Sequence, residues 1–227
     1  MRTIFFIFFL FYFSHTAEAQ VDYSGKYGFQ SEIFFDKDSP VKPGKNDQGR
    51  TGDLTLLKLD SARYKFWLFA SRGWPSYNMG NIAGIISIVN GKAVYREKQD
   101  YSDSSCVILF SLHPGGVEIE QKSTDFECGF GHSVYADGEY AKKKGAKLNN
   151  NDLEKLYEDF TRYQVVSNRA FIFEDESGRK NKTQYFIKND KVIAVSENDS
   201  FVFVEYITPS GKFIYGWLKK SDLKEIK

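Results

Sequence analysis

Through the middle of the chain apolar residues alternate with polar ones, and turn residues cut the alternation into short runs. Asp53 to Leu59 and Tyr64 to Ala70, parted by Asp60-Ser61-Ala62, predict two strands of an antiparallel meander. Ile82 to Val89 is an apolar strand, Asn90-Gly91 a hairpin turn and Lys92 to Arg96 its return. Cys106 to Leu112 and Val117 to Gln121 flank His113-Pro114-Gly115-Gly116, a second hairpin. The chain is then expected to return as a strand from Cys128 to Val134, with Gly129 and Gly131 fitting close backbone approach or a bulge beside the disulfide, and to close on Gly138-Glu139-Tyr140. Evenly spaced strands of this kind predict a small antiparallel barrel or sandwich. Phe35 to Gly52, with Pro40, Pro43 and Gly44 among charges, reads as a long polar loop.

The pattern then changes. Asn149 to Asp152 offer N-cap residues, and Leu153, Leu156, Tyr157 and Phe160 recur at helical spacing, which predicts one helix of about ten residues. Strand signals resume from Val165: Ala170 to Phe173, Gln184 to Ile187, Lys191 to Ser196, Phe201 to Ile207 and Phe213 to Leu218. Most of Phe171, Phe173, Tyr185, Tyr206, Tyr215 and Trp217 are expected in the core of these five strands. The chain therefore divides into a leader at 1–19, an antiparallel β domain at 20–147, a linking helix at 148–164 and a small barrel at 165–227. The fold class is mainly β.

The leader is read from its own pattern. Arg2, an apolar run from Ile4 to Phe13 and Ala17-Glu18-Ala19 before Gln20 have the form of a signal peptide cleaved after Ala19. The apolar run is shorter than the roughly 18 residues a bilayer crossing needs, so no stable membrane anchor is expected after cleavage. A periplasmic or secreted protein is the expectation. The chain has 31 basic and 30 acidic residues, and setting aside Arg2 and Glu18 leaves the balance at +1. With no basic stripe in either half, nucleic acid is not an expected partner.

Candidate chemistry concentrates in CGFGHSVYADGEY, residues 128–140. Cys106 and Cys128 are the two cysteines, and an even pair in an exported chain favours a disulfide. The bond would close a loop of about 23 residues, for which chain entropy gives roughly 3 kcal/mol. The alternative, a Cys128 thiolate with His132 as its base, needs a third group to hold the base and no disulfide partner. His113, before Pro114-Gly115-Gly116, reads as a turn residue. Two histidines and two bonded cysteines make no zinc set, and no metal or cofactor is expected. Asp137 with Glu139, and Asp100 with Asp103, are the carboxylate pairs a glycosidase could use, but both read as turn and loop residues. No catalytic residue is assigned. The candidate binding residues are Arg72, Trp74 and Tyr77, in the loop RGWPSYN, whose rings could stack on sugars, anchor a protein interface or cap one end of the barrel.

Two resemblances add to this reading. AFIFEDES, QYFIKNDKVIAV, FVFVEYITPSGKFIYGW and Ser221-Asp222-Leu223, from Ala170 onward, together resemble a bacterial SH3 domain, with Asn189-Asp190 where many members have Gly-Asp. In exported bacterial proteins such domains are often associated with cell-wall targeting, and the resemblance implies that role. GDLTL, YKFWLF, NIAGIISI, NGKAVY, CVILFSL and CGFGHSVYADGEY, in that order, are similar to exported domains of the lysozyme-inhibitor kind. Ser24-Gly25-Lys26-Tyr27 is similar to the Ser-Gly-x-Tyr loop that some such inhibitors insert into lysozyme. Three functions follow as expectations. The first is a non-catalytic envelope protein whose SH3-like domain binds peptidoglycan or a protein partner. The second is an inhibitor of a cell-wall hydrolase, and the third a hydrolase using His132 with Cys128 or Asp137.

Overall fold

The computed structural model describes residues 21–35, 37–38, 40–98, 104–157, 160–179 and 181–226. The expected signal peptide and the Asp100–Asp103 pair lie outside them. The chain is mainly β, as the alternation predicts, with strands in two sheets and one short α-helix.

The first sheet holds β1 (Gly25–Gln30), β2 (Thr51–Lys58), β3 (Arg63–Ser71), β4 (Met79–Ser87), β5 (Lys92–Lys98), β6 (Ser105–His113), β7 (Gly116–Gln121) and β8 (Gly138–Lys142). Its order is β4-β3-β2-β1-β8-β7-β6-β5, antiparallel throughout. The end strands β4 and β5 come together, so the sheet is a nearly closed barrel. Alternation dictates its inside: Tyr64, Phe66, Leu68 and Ala70 of β3 are all buried, and Phe66 meets Tyr95 and Phe110 edge-on at 5.0 and 5.3 Å. The turn between β4 and β5 has Asn90 at φ 51° and Gly91 at φ 71°, the paired positive φ that a tight hairpin requires.

The expected strand from Cys128 to Val134 is absent. Phe126–Cys128 is a 3₁₀ turn, closed by Gly129 in the left-handed conformation (φ 68°), and the chain then runs irregularly to β8. Gly129 thus ends a turn instead of making a bulge. Cys128, at the end of that turn, is bonded to Cys106 on β6 with both sulfurs sealed in the core.

The second sheet is β9 (Thr161–Val165), β10 (Arg169–Phe173), β11 (Asn181–Ile187), β12 (Lys191–Glu197), β13 (Phe201–Ile207), β14 (Phe213–Lys219) and β15 (Leu223–Ile226). They order as β11-β10-β14-β13-β12-β9-β15. Two strands, β9 and β15, join the five expected, pairing with each other while β9 also pairs with β12. TRYQV and LKEI carry too few apolar residues to signal strands, and β9 takes residues the sequence assigns to the linking helix.

Helix α1 spans Asn150–Leu156, because the backbone is already extended at Tyr157. Its start is doubly capped: Asn151 N–H donates to the Asn149 side chain at 2.9 Å and Asn149 N–H to Asp152 at 2.8 Å. Buried Asp152 also receives the Lys26 ammonium of β1 at 2.8 Å, which ties the helix to the first barrel. Asn149→Ala should lower stability by about 1 kcal/mol in urea unfolding. A loss indistinguishable from zero would mean that tertiary packing, not the cap, holds this turn.

Between the first barrel and the second sheet lies a separate apolar cluster. Leu57 of β2, Leu153 and Leu156 of α1, Ile193 of β12 and Ile207 of β13 are buried in it, with Trp67 packed alongside. Leu57 points out of its own barrel yet is 3% exposed, because the helix and the second sheet cover that face.

Candidate functional site

Among the described residues the Cys128–His132, His132–Asp137 and Asp137–Glu139 arrangements are not assembled. Cys128 is oxidised, and His132 is on no strand: it lies in the irregular segment before β8, 86% exposed, with Nδ1 3.9 Å from Asp125. Asp137 accepts the Gln121 N–H at 2.9 Å, and Glu139 pairs with His113 Nε2 at 2.6 Å on the surface. Among the described residues no three His, Cys, Asp or Glu gather as metal ligands. Ser24-Gly25-Lys26-Tyr27 is no projecting loop either. It leads into β1, where Lys26 is held by Asp152 and the Tyr27 ring is buried, its hydroxyl raised in pKa chiefly by that burial.

The predicted loop Arg72–Asn78, between β3 and β4, forms one wall of a cleft of about 240 Å³ at an end of the first barrel. Arg72 and Trp74 line it together with Glu32 and Phe34 from the β1–β2 connection, Arg50 just before β2, and Tyr135 from the segment before β8. Its walls are fixed to each other by hydrogen bonds to backbone carbonyls. Trp74 N–H donates to Gln48 O at 2.8 Å, Asn78 Nδ2 to His132 O at 2.9 Å and Arg50 Nη2 to Tyr135 O at 2.7 Å. Gly73, at φ 73°, lies so close to the Gly49 carbonyl that no Cβ could fit there.

The three candidate residues part company here. Tyr77 does not line the cleft; its hydroxyl donates to Asp47 at 2.6 Å and accepts the Gln48 N–H at 3.2 Å. That bond holds the Asp47 carboxyl below its ordinary pKa and raises the phenol's. Tyr77 is therefore a brace for the loop that presents Arg72 and Trp74. The Arg72 guanidinium and the Trp74 indole N–H have no hydrogen-bond partner among the described residues. Arg50, Glu32, Phe34 and Tyr135 carry no local motif and meet Arg72 only through the barrel's closure.

A second surface overturns an expectation. Most of the six aromatic residues expected in the core of the second sheet lie on its outside: Phe171, Tyr185 and Tyr215 are 39%, 43% and 46% exposed, Phe173 and Trp217 are only partly buried, and Tyr206 alone of the six packs against the buried cluster. The inside holds Ala170, Ile172, Val202, Val204 and Leu218 with the Phe186 ring. Successive side chains of a strand point to opposite faces, so where Ala170, Ile172 and Leu218 point in, Phe171, Phe173 and Trp217 point out. Cross-strand partners Phe171–Tyr185 and Phe203–Trp217 have centroids 5.8 and 5.3 Å apart, and Phe173 faces Trp217 in register. Phe203 also reaches Tyr215 at 6.2 Å, so the rings form a row across β11, β10, β14 and β13. Three cations edge the row. Arg169 lies 4.9 Å from the Tyr185 centroid, Lys182 4.4 Å from Tyr215 and Lys219 5.6 Å from Phe173.

No known protein family and no curated protein sequence matches the chain. The disulfide assigns it coarsely to an oxidising compartment.

Proposed function

We propose that this protein is a non-catalytic binding protein, exported to the periplasm or secreted, whose C-terminal SH3-like barrel holds cell-wall material. The row of outward rings on β10, β11, β13 and β14 carries the reading. Exposed rings half a side chain proud of a rigid sheet are the platform on which sugar faces stack, because C–H groups of a pyranose meet the π-face without desolvating its hydroxyls. The flanking cations suit the carboxylates that a cell-wall polymer carries beside its sugars. A row of such size left to water costs solubility, which favours a binding role. An oxidised Cys128 and a solvent-facing His132 support the non-catalytic half.

The full chain should sediment with insoluble peptidoglycan, and Phe171→Ser/Tyr215→Ser, two exposed positions whose change spares the core, should lower the bound fraction at least tenfold. A double variant that sediments like the parent removes the row from the function. A parent that stays in the supernatant overturns the cell-wall reading and points to a protein partner for the same rings.

A further inference from the structure

We infer that the cleft at the end of the first barrel is a second, independent ligand site, and that it takes a single carboxylate-bearing sugar ring. It does not rest on the reading of the aromatic row. The inference starts from Arg72. A guanidinium offers five N–H donors in a planar fork, and this one lines the cleft with none of them paired among the described residues. The matching acceptor is a carboxylate, bound through two parallel hydrogen bonds.

The walls define the rest of the ligand. Trp74, Phe34 and Tyr135 give flat apolar faces, and Glu32 on the same lining accepts hydroxyl or amide N–H donors. Two arginines against one glutamate make the lining net positive, which complements a monoanion; a zwitterionic amino acid would leave that charge unbalanced. The second arginine, Arg50, is partly committed to the wall: its Nη2 is taken by the carbonyls of Tyr135 and Asp137 at 2.7 and 2.8 Å, which leaves Arg72 as the arginine whose whole fork is open to a ligand. At about 240 Å³ the cleft is smaller than the usual small-molecule pocket, room for one ring and not for a chain of them.

The site is built before any ligand arrives. Trp74 is fixed through its backbone to Gln48 and meets Phe35 edge-on at 6.3 Å, while Tyr77 locks the far side of the loop to Asp47. Preorganisation of this kind spares the ligand the cost of ordering the loop.

The test uses the full chain, N-acetylmuramic acid as the acidic ring and N-acetylglucosamine as the same ring without the carboxylate, titrated by NMR. The acidic sugar should bind at least tenfold more tightly than the neutral one. Arg72→Gln should abolish that difference, while Arg72→Lys should keep part of it and Phe171→Ser/Tyr215→Ser all of it. Equal binding of the two sugars, or an Arg72→Gln protein that folds and still discriminates, overturns the inference. So does an N-acetyl dipeptide with a free C-terminal carboxylate that outcompetes the acidic sugar. Because the aromatic-row variant serves as the control, failure here and failure in peptidoglycan sedimentation are separate results.

Discussion

Replacing Cys106 and Cys128 together by alanine lowers the unfolding free energy by about 4 kcal/mol. Roughly 3 kcal/mol of this is entropy, because the bond ties a 22-residue separation in the unfolded chain. About 1 kcal/mol more comes from the cavity, since Cys106 is 0% and Cys128 3% exposed inside the first barrel. The effect reaches the cleft. Cys128 ends the 3₁₀ turn whose continuation carries Tyr135, and Tyr135 O is one of the two carbonyls that hold Arg50 in place. Urea unfolding of the oxidised parent and the alanine pair measures the whole loss, and dithiothreitol added to the parent should reproduce the roughly 3 kcal/mol of it that belongs to the cross-link, since both thiols stay to fill the core. A difference below about 1 kcal/mol would mean that buried Phe130 and the turn hold the segment without the covalent link.

The sequence and the structure agree on the strands of the first sheet that turn residues bound. Tyr64 to Ala70 and Cys106 to Leu112 are apolar runs of strand length between turn signals, and burial alternates along both in the structure. The disulfide was legible from compartment and count. What such runs do not disclose is which face goes inside. Ala170-Phe171-Ile172-Phe173 alternates small with large, and a period of two cannot say which set is buried; the structure buries Ala170 and Ile172. Of the cleft, Arg72 and Trp74 were visible as a basic and aromatic pair in a loop. Arg50, Glu32 and Tyr135 were not, because they come from segments brought together only by the pairing of β1 with β2 and with β8. The Cys128–Val134 strand was misread because glycines at Gly129 and Gly131 suit a bulge as well as a left-handed cap.

The interface between the first barrel and the second sheet, invisible to local pattern, gives the other large effect: Lys65→Met costs about 3 kcal/mol at pH 7. Glu205 of β13 is 6% exposed, one of its carboxylate oxygens has no hydrogen-bond partner, and its pKa is raised by burial despite Tyr157 and Lys65 opposing the rise. Lys65, on β3 of the first barrel, lies over the Tyr157 ring at 2.8 Å from its centroid, and burial pulls its pKa down to about 8. Removing Lys65 leaves the buried carboxylate without its nearest cation, so Glu205 must ionise uncompensated or take a proton. The signs follow from proton uptake. A carboxyl raised above its unfolded 4.5 stabilises in its protonated form, and that contribution is lost as pH climbs through the folded value. The Lys65→Met deficit should therefore shrink at pH 5 and grow toward pH 7, where Lys65 is still charged. The lysine acts oppositely: between about 8 and its unfolded 10.5 the native state has released a proton that the unfolded chain retains, so this group adds stability with rising pH, and the variant lacks that gain. Above pH 10 the buried Tyr157 hydroxyl, raised by desolvation, works against folding in both proteins. Adding Glu205→Gln to Lys65→Met should return most of the loss at pH 7, because the charge that needed a partner is gone. Equal deficits at pH 5 and pH 7 would assign the effect to the packing of the lysine stem against Tyr157, and the first barrel and the second sheet would then be joined by the apolar cluster around Leu153 alone.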